Sequence, residues 1–237
     1  MSRRAVILAG GVGSRLRPYT VVLPKPMMPV GEYPILEIIV RQLAMQGFER
    51  ITMAVNHQAN IIKAFFENGD QWGVRIDYSL ETKPLSTIAP LRLVDDLPQN
   101  FLLMNGDILT DLRLDQLYDK HVSDKRLFTI AASRRTHIID YGVINVDSAN
   151  LLSSFTEKPS MHYLVSMGVY VLNRDVLAVV PPDQKYGFDD LMRDLLARKE
   201  RVHVEPYEGY WLDIGRPDDY MQAIDDFEAR KGELLRP

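Results

Sequence analysis

One N-terminal stretch decides the fold, and it reads AVILAGGVGSRL from residue 5 to residue 16. Its first part, residues 5–9, is a continuous apolar run that ends directly at two glycines. A short apolar run of this kind indicates a strand buried on both faces, as in a parallel sheet. Glycines let a backbone approach a ligand closely, and successive N–H groups in such a turn form a concave anion site. The stretch therefore predicts a buried first strand and then a phosphate-binding loop, where Arg15 offers a planar cation to phosphate oxygens.

Two familiar phosphate-binding loops do not fit this stretch. A P-loop needs Gly-Lys followed by Ser or Thr, which the sequence lacks. A dinucleotide-binding loop needs a third glycine where this chain has Leu16. A plain strand-to-loop turn is the simpler alternative, but three glycines within four residues, followed by arginine, favour anion binding. Further on, Pro24 and Pro26 stiffen the loop around Lys25 and hold this lysine in place.

The first half of the chain alternates apolar runs with amphipathic segments. Helical spacing of apolar residues and short apolar runs predict helices at 35–46 and 61–66, and strands at 51–55, 74–78 and 101–104. The predicted order is strand, helix, strand, helix, strand, helix, strand, which favours right-handed βαβ crossovers. We therefore predict an α/β fold, with a Rossmann-like, mostly parallel twisted sheet and helices on both faces.

The second half mixes more strands with fewer helices. Strands are predicted at 127–132, 142–146, 151–155 and 165–172, and helices at 188–196 and 218–230. These strands predict a small antiparallel extension of the same sheet. Because the sequence shows neither an internal repeat nor a linker, we expect residues 1–237 to form a single domain.

The composition argues against several classes of protein. With 28 basic and 32 acidic residues, the net charge of -4 gives no general reason to bind nucleic acid or an anionic membrane. The absence of cysteine excludes disulfides, thiolate metal sites and a cysteine nucleophile. No apolar run approaches the roughly 18 residues of a membrane helix. We therefore expect a cytoplasmic protein that holds its phosphate ligand in a local site.

Two aspartates follow predicted strands. Asp107 ends Asn105-Gly106-Asp107 after the strand at 101–104, and Asp213 lies in Trp-Leu-Asp-Ile-Gly near the C-terminus. Ligands of open α/β sheets bind beyond the carboxyl ends of the strands, where a carboxylate can reach phosphates. Magnesium prefers such hard oxygen ligands, often one or two carboxylates with phosphates and water. Each aspartate alone would more often be a turn residue.

A family resemblance joins these motifs. Residues 10–18, followed by Leu-Pro-Lys-Pro at 23–26, closely resemble the opening signature of sugar-1-phosphate nucleotidyltransferases, the nucleotide-sugar pyrophosphorylases. Ser14 stands where the family usually has threonine, which keeps the hydroxyl. The resemblance implies that a nucleoside triphosphate and a sugar 1-phosphate react to give a nucleotide-activated sugar and pyrophosphate. It implies that Arg15 contacts the departing pyrophosphate and Lys25 the phosphates near the reacting centre, both as catalytic residues.

The resemblance also implies the binding residues. Asp107 and Asp213 would together bind one Mg²⁺. The nucleotide would be bound by Leu8, Gly10, Gly11, Gly13, Ser14, Arg15, Glu81, Ser86, Asn105 and Gly106. The sugar phosphate would be bound by Tyr141, Gly142, Glu157, Lys158, Ser166 and Gly168. Ser166 replaces a usual asparagine, which changes the polar group that is offered to the sugar.

The loop at 81–90 occupies the place of the family's base-recognition loop and departs from its usual form, Glu-x-x-Pro-Leu-Gly-Thr-Ala-Gly. Ser86 replaces a glycine, and Ile-Ala-Pro at 88–90 replaces small residues, so we expect a stiffer and bulkier loop. The Glu81 carboxylate can accept hydrogen bonds from N1–H and N2–H of guanine. This favours GTP, as in guanylyltransferases for mannose or heptose 1-phosphates, while UTP, dTTP and CTP remain alternatives.

Two other readings remain open. The acceptor could be a non-sugar phosphate, or the chain could be a non-catalytic regulatory subunit of the same fold. The retained charges at Arg15, Lys25, Asp107 and Asp213 argue against the second reading. Many relatives continue into a left-handed β-helix, which we do not expect here, and analogy to the family suggests a homodimer.

Overall fold

The structure, a computed structural model, describes residues 3–11, 13–56 and 58–235. Its strands, numbered in chain order, are β1 Arg3–Leu8, β2 Pro29–Val30, β3 Tyr33–Pro34, β4 Phe48–Val55, β5 Arg75–Leu80, β6 Asn100–Asn105, β7 Ile108–Thr110, β8 Phe128–Ile138, β9 Val143–Val146, β10 Leu152–Thr156, β11 Ser160–Asn173, β12 Val202–Tyr207 and β13 Trp211–Asp213. Its α-helices are α1 Ile35–Met45, α2 Ala59–Phe66, α3 Leu114–Ser123, α4 Phe188–Ala197 and α5 Pro217–Leu234. None of the described helices combines the length and the apolar character that crossing a membrane requires.

The central sheet contains seven strands in the order β12-β8-β11-β6-β1-β4-β5. β1 pairs in parallel with β4 and β6, as does β4 with β5 and β12 with β8. β11 runs antiparallel to both of its neighbours, β6 and β8. The predicted mostly parallel α/β sheet is therefore confirmed.

The apolar run of β1 serves both faces of the sheet. Ala5 and Ile7 belong to the core that also contains buried side chains of α1, α2, α3 and α5. Val6 points the other way, into a core built with α4 and the segment at 85–97. Because successive side chains of a strand point to opposite faces, a strand covered on both faces must be apolar at every position. This arrangement confirms helices on both faces.

The third predicted crossover helix is wrong. Between β5 and β6 the described chain forms no α-helix, only a 3-10 helix at Ala89–Leu93. Pro84 and Pro90 account for the difference, because proline removes a backbone donor and is tolerated only in the first turn of a helix. The segment nevertheless covers the sheet, since Leu85, Ile88 and Leu91 are all buried.

The antiparallel extension is larger than the sequence indicated. β8 and β11 run about six and five residues beyond the predicted strands at 127–132 and 165–172, and their added halves pair from Ile138↔Ser160 onward. The two-stranded ribbon of β9 and β10 stands beside them. Most side chains of the extension are exposed, which removes the alternation on which strand prediction depends.

Candidate active site

The candidate site is a cavity of about 590 Å³ at the carboxyl ends of β1, β4 and β6. This edge of an open parallel sheet is where ligands bind in such folds. Its walls include the predicted nucleotide residues Leu8, Gly10, Gly11, Glu81, Ser86 and Asn105. Further walls come from Ala54, Asn56, Thr82, Lys83, Pro84, Thr87, Pro90, Asp107 and Lys185. The predicted residues Gly13, Ser14, Arg15 and Gly106 lie outside this lining.

The glycine loop folds back on the segment that carries Lys25. Gly13 has a left-handed φ of 63°, and a Cβ there would lie 2.8 Å from Cγ2 of Thr20 and 3.0 Å from Cβ of Lys25. The Thr20 hydroxyl donates a hydrogen bond of 2.7 Å to the Gly13 carbonyl. Position 13 therefore requires glycine, which brings the loop and the lysine together; position 12 lies outside the described residues.

Lys25 forms an ion pair with Asp107, which lines the cavity at the end that the sequence predicts for phosphate, called the phosphate end below. Lys25 begins a 3-10 helix, Lys25–Met27, and its side chain is largely buried, so the two prolines hold it as expected. Asp107 follows β6 through Gly106, whose N–H donates a 3.0 Å hydrogen bond to the Leu8 carbonyl. The first loop and the end of β6 are thus tied to each other beside a buried charge pair.

Asp213 reaches the same place through a second ribbon. β13 pairs antiparallel with β7 in the register Asp213↔Ile108, and the Ile214 N–H donates 3.0 Å to the Asp107 carbonyl. Burial and the nearby Asp107 carboxylate raise the pKa of Asp213, while Lys25 and Arg15 act in the opposite direction. The structure therefore brings the two predicted metal aspartates together.

Arg15 completes this charged group. A Cβ added to Gly215 would lie 3.3 Å both from Nη2 of Arg15 and from Oδ2 of Asp213, so the guanidinium lies close to that carboxylate. Arg15, Lys25, Asp107 and Asp213 come from four separate segments, and we call them the charged cluster. Two carboxylates and two cations beside a cavity can bind phosphate oxygens and a hard metal ion together.

The chemistry of the donor set fits one magnesium ion. Within the described ranges no group of three or more His, Cys, Asp or Glu side chains could hold a metal. Magnesium does not need such a group, because it keeps several waters and takes one or two carboxylates plus substrate phosphates. The raised pKa of Asp213 beside Asp107 shows two like charges that a cation would stabilise.

The loop at 81–90 lines the end of the cavity that the sequence predicts for the base, called the base end below. The Glu81 N–H donates 2.8 Å to the Val55 carbonyl, and the Glu81 carboxylate accepts from the Leu85 N–H. Ser86 has a φ of 72°, which is the left-handed conformation that the family's glycine would adopt without strain. Ser86 therefore adopts a conformation that glycine accepts more easily, and the loop carries strain there.

The predicted sugar residues divide into two groups. Gly168 has a φ of 72°, and a Cβ there would lie 2.5 Å from Nδ2 of Asn105. β11 therefore passes directly beside the end of β6. Ser166 shares a 2.9 Å hydrogen bond with the Tyr170 hydroxyl, and Trp211 Nε1 donates 2.9 Å to the Met167 carbonyl. These contacts place Ser166 and Gly168 next to β6 and β13, the strands that lead to Asp107 and Asp213.

The other sugar residues lie on the exposed extension. Lys158 forms a 2.8 Å ion pair with Asp140, and a Cβ at Gly142 would meet the Phe155 ring at 2.6 Å. Tyr141 and Glu157 are also exposed. Among the residues that the structure describes, no hydrogen bond or ion pair joins Tyr141, Gly142, Glu157 or Lys158 to the charged cluster.

Outside the loop at 81–90, sequence reasoning missed two polar residues of the cavity wall. Asn56 donates to the Gly10 carbonyl and directly follows β4, so the rule that drew attention to Asp107 would have found it. Lys185 comes from the segment before α4, and nothing in its local sequence marks it. Its place depends on contacts between distant loops.

The fold and the charged cluster together define a phosphate-binding α/β protein with the parts that nucleotidyl transfer requires. The family described as nucleotidyl transferase matches residues 4–230, and the chain belongs to this family. The resemblance to sugar-1-phosphate nucleotidyltransferases is thereby confirmed.

Three comparisons give this family membership more detail. The chain is 32% identical over 230 residues to a mannose-1-phosphate guanyltransferase of Kluyveromyces lactis, covering 93% of this chain and 63% of that protein. It is 30% identical over 223 residues to a D-glycero-alpha-D-manno-heptose 1-phosphate guanylyltransferase of Campylobacter jejuni, covering 93% and 98%. Its fold matches the crystal structure of HddC from Yersinia pseudotuberculosis with a TM-score of 0.74 and 24% identity, over 95% of this chain and 99% of that one. The chain spans 63% of the length of the Kluyveromyces protein.

Proposed function

We propose that the protein transfers a guanylyl group from GTP to a sugar 1-phosphate and releases pyrophosphate. The observation that carries this proposal is the charged cluster, because Arg15, Lys25, Asp107 and Asp213 meet beside a cavity of about 590 Å³. Phosphoryl transfer needs positioning and charge neutralisation more than a protein nucleophile. The converging charges supply both.

The proposed reaction is a direct in-line displacement. An oxygen of the sugar phosphate attacks the α-phosphorus of GTP, the bond from that phosphorus to the bridging oxygen breaks, and pyrophosphate leaves. No general base is needed, because the attacking phosphate is already ionised. Arg15 stabilises the departing pyrophosphate, and Lys25 offsets charge on the α-phosphate. The Lys25–Asp107 pair holds this ammonium beside the phosphate end before substrate arrives.

Asp107 and Asp213 are the residues that would hold Mg²⁺. The ion would neutralise phosphate charge and orient the α-phosphate, which is the usual contribution of magnesium to phosphoryl transfer. Two further roles of the chain's own residues follow from their positions. Backbone N–H groups at Gly10 and Gly11 would bind phosphate oxygens, and Asn105 would contact the nucleotide from the end of β6.

GTP is favoured over the other nucleotides for two reasons. Glu81 lines the base end with a carboxylate, which accepts the two adjacent donors of guanine. The relatives from Kluyveromyces and Campylobacter are both named for guanylyl transfer. Those names also share the manno configuration, so we propose a manno-configured hexose or heptose 1-phosphate as acceptor.

The sugar phosphate would bind between β11 and the exposed extension. Ser166 and Gly168 would form the inner side beside Asn105. Glu157 would accept sugar hydroxyls and Lys158 would pair with the phosphate, aided by Tyr141 and Gly142, which requires Lys158 to exchange its partner Asp140.

We propose a single domain that assembles as a homodimer through the extension. A two-stranded ribbon is marginally stable on its own, and contiguous exposed apolar side chains mark interaction surfaces. The exposed apolar side chains of the extension include Ile138, Ile144, Val146, Leu152, Phe155, Tyr163 and Leu164. Light scattering of the purified protein should report twice the chain mass. Because its substrates are metabolites of the cell interior, we propose a cytoplasmic location.

The proposed reaction is tested by incubating the protein with Mg²⁺, each of GTP, UTP, dTTP and CTP, and a panel of sugar 1-phosphates. Pyrophosphate release should occur with GTP and a manno-configured acceptor, and chelation should abolish it. Release with UTP, dTTP or CTP instead would overturn the assignment of the base. If GTP binds but no acceptor supports release, the chain is better described as a non-catalytic or non-sugar-specific member of the family.

A further inference from the structure

The segment at 183–188 packs on the loop at 81–90 and adds Lys185 to the wall of the nucleotide cavity. The Tyr186 N–H donates 2.9 Å to the Leu85 carbonyl, and the Tyr186 carbonyl accepts from the N–H groups of Ile88 at 3.1 Å and Ala89 at 3.0 Å. Three backbone hydrogen bonds around one residue fix this segment against the base end of the cavity. The wall is therefore a built part of the site.

Two lysines line this part of the cavity, Lys83 on the loop at 81–90 and Lys185 on the segment at 183–188, and their surroundings differ. The Lys83 ammonium donates 3.0 Å to the Asp183 carbonyl and lies 3.7 Å from the Asp183 carboxylate. Lys185 lines the cavity, and within the described part of the chain its ammonium has no ion-pair or hydrogen-bond partner. Lys83 therefore joins the walls, while Lys185 is available to a ligand.

Lys185 lies at the base end of the cavity, away from the phosphate end. It directly precedes Tyr186, whose backbone is hydrogen-bonded to Leu85, Ile88 and Ala89. The phosphate end is marked by Gly10, Gly11 and Asp107, on the sheet edge of the same cavity. An ammonium at the base end would be nearer to a bound nucleobase than to its phosphates.

The base end thus offers a carboxylate as acceptor and the ammonium of Lys185 as donor. The Glu81 carboxylate only accepts hydrogen bonds, and the Lys185 ammonium only donates them. Guanine offers donors at N1–H and N2–H on one edge and acceptors at O6 and N7 on another. Adenine has an amino donor in place of O6, so an ammonium there lacks one acceptor.

We propose that Lys185 binds the O6 and N7 edge of guanine and is a specificity-determining residue for GTP. This inference rests on the proposed guanylyl transfer. Lys185 and Glu81 hold the base from two edges, and the hydrogen bonds at Tyr186 fix the segment that carries Lys185 against the loop that carries Glu81. Discrimination then depends on a residue outside the base-recognition loop at 81–90.

The test pairs changes in the enzyme with changes in the nucleotide. Steady-state kcat/KM is measured for wild type and Lys185→Met with GTP, with 7-deaza-GTP, which lacks N7, and with ITP, which lacks the N2 amino group. Wild type should prefer GTP to 7-deaza-GTP by about tenfold, the usual order for one charge-assisted hydrogen bond. Lys185→Met should remove this preference by lowering the value for GTP, and it should leave the ratio of GTP to ITP unchanged.

Two controls keep the result specific. Lys199→Met replaces an exposed lysine just beyond α4 and should keep all three nucleotide values of wild type. Glu81→Gln should change the ratio of GTP to ITP and leave the ratio of GTP to 7-deaza-GTP unaltered. Thermal unfolding of each variant checks that the fold is intact.

Other outcomes overturn the inference. An equal loss for GTP and 7-deaza-GTP in Lys185→Met would mean that the lysine contacts ribose or phosphate. If wild type transfers no guanylyl group, the proposed function fails, and calorimetric binding of GTP and 7-deaza-GTP to the same variants replaces the kinetic test. Equal affinities of wild type for the two nucleotides in that assay would overturn the role of Lys185 independently.

Discussion

Gly168 lies where β11 passes the end of β6, and its replacement by alanine should disturb both stability and activity. The residue has a φ of 72°, and an added Cβ would lie 2.5 Å from Nδ2 and 2.9 Å from Cγ of Asn105. The left-handed conformation costs alanine ~1 kcal/mol, and overpacking against the Asn105 side chain adds about 1–3 kcal/mol. We therefore expect Gly168→Ala to lower the free energy of unfolding by about 3 kcal/mol.

Two other glycines separate these contributions. Gly73 has a φ of 68° and no atom within 4 Å of an added Cβ, so Gly73→Ala should cost only about 1 kcal/mol. Gly232 lies inside α5 with the same free space and no positive φ, so Gly232→Ala should stabilise the protein by roughly 0.5–1 kcal/mol.

Urea unfolding of the three variants measures these differences. The gap between Gly168→Ala and Gly73→Ala reports the contact with Asn105 alone. Because Asn105 lines the nucleotide cavity, Gly168→Ala should also reduce pyrophosphate release, whereas the other two variants should not. If Gly168→Ala proves no more destabilising than Gly73→Ala, then β11 does not press on β6 and the reasoning about this part of the site is wrong.

Three further predictions concern charge. Asp107→Asn should lower turnover by at least about a hundredfold in the pyrophosphate assay, because loss of the proposed magnesium ligand would remove several kcal/mol of transition-state stabilisation; near-normal turnover would contradict the proposed role. Lys25→Met should lower the free energy of unfolding by about 3 kcal/mol in urea titrations, since it leaves Asp107 uncompensated near Asp213, and an unchanged midpoint would show that the ion pair is not important. Burial lowers the pKa of His121 to about 4, with positive charge on Arg126 and His203 adding to the effect, so the unfolded state binds the proton more readily. Stability should therefore be full above pH 6.5 and fall towards pH 4, by up to roughly 3 kcal/mol from this residue; comparison with His121→Asn at each pH isolates it, and parallel curves would refute it.

The parts of the fold that the sequence predicted are those with one dominant period. The run at 5–9 is apolar at every position and became β1, and the helical spacing at 35–46 became α1. α3 was missed although its buried side chains, Leu114, Leu117, Tyr118 and His121, have helical spacing, because the helix is short and one of these four positions is a histidine. The outer half of β8 carries Arg134, Arg135 and His137, all exposed, so no buried face imposes an alternating pattern.

The site was predictable only residue by residue. Asp107 and Asp213 each follow an apolar strand, and that position drew attention to both. Their proximity depends on the pairing of β7 with β13, which no local pattern encodes. Lys185 was not predictable, because its place in the cavity wall results from hydrogen bonds that Tyr186 makes to a distant loop. The roles of Glu157 and Lys158 remain predictions from the resemblance.

The ribbon of β7 and β13 also bears on how the protein is made. Every wall of the nucleotide cavity comes from residues up to Lys185, whereas the second carboxylate arrives only with β13. During translation, a nascent chain that has not yet released Asp213 from the ribosome would have a place for the nucleotide but only half of the carboxylate pair. Capacity for turnover would then appear last, once the C-terminal strand has emerged and paired with β7.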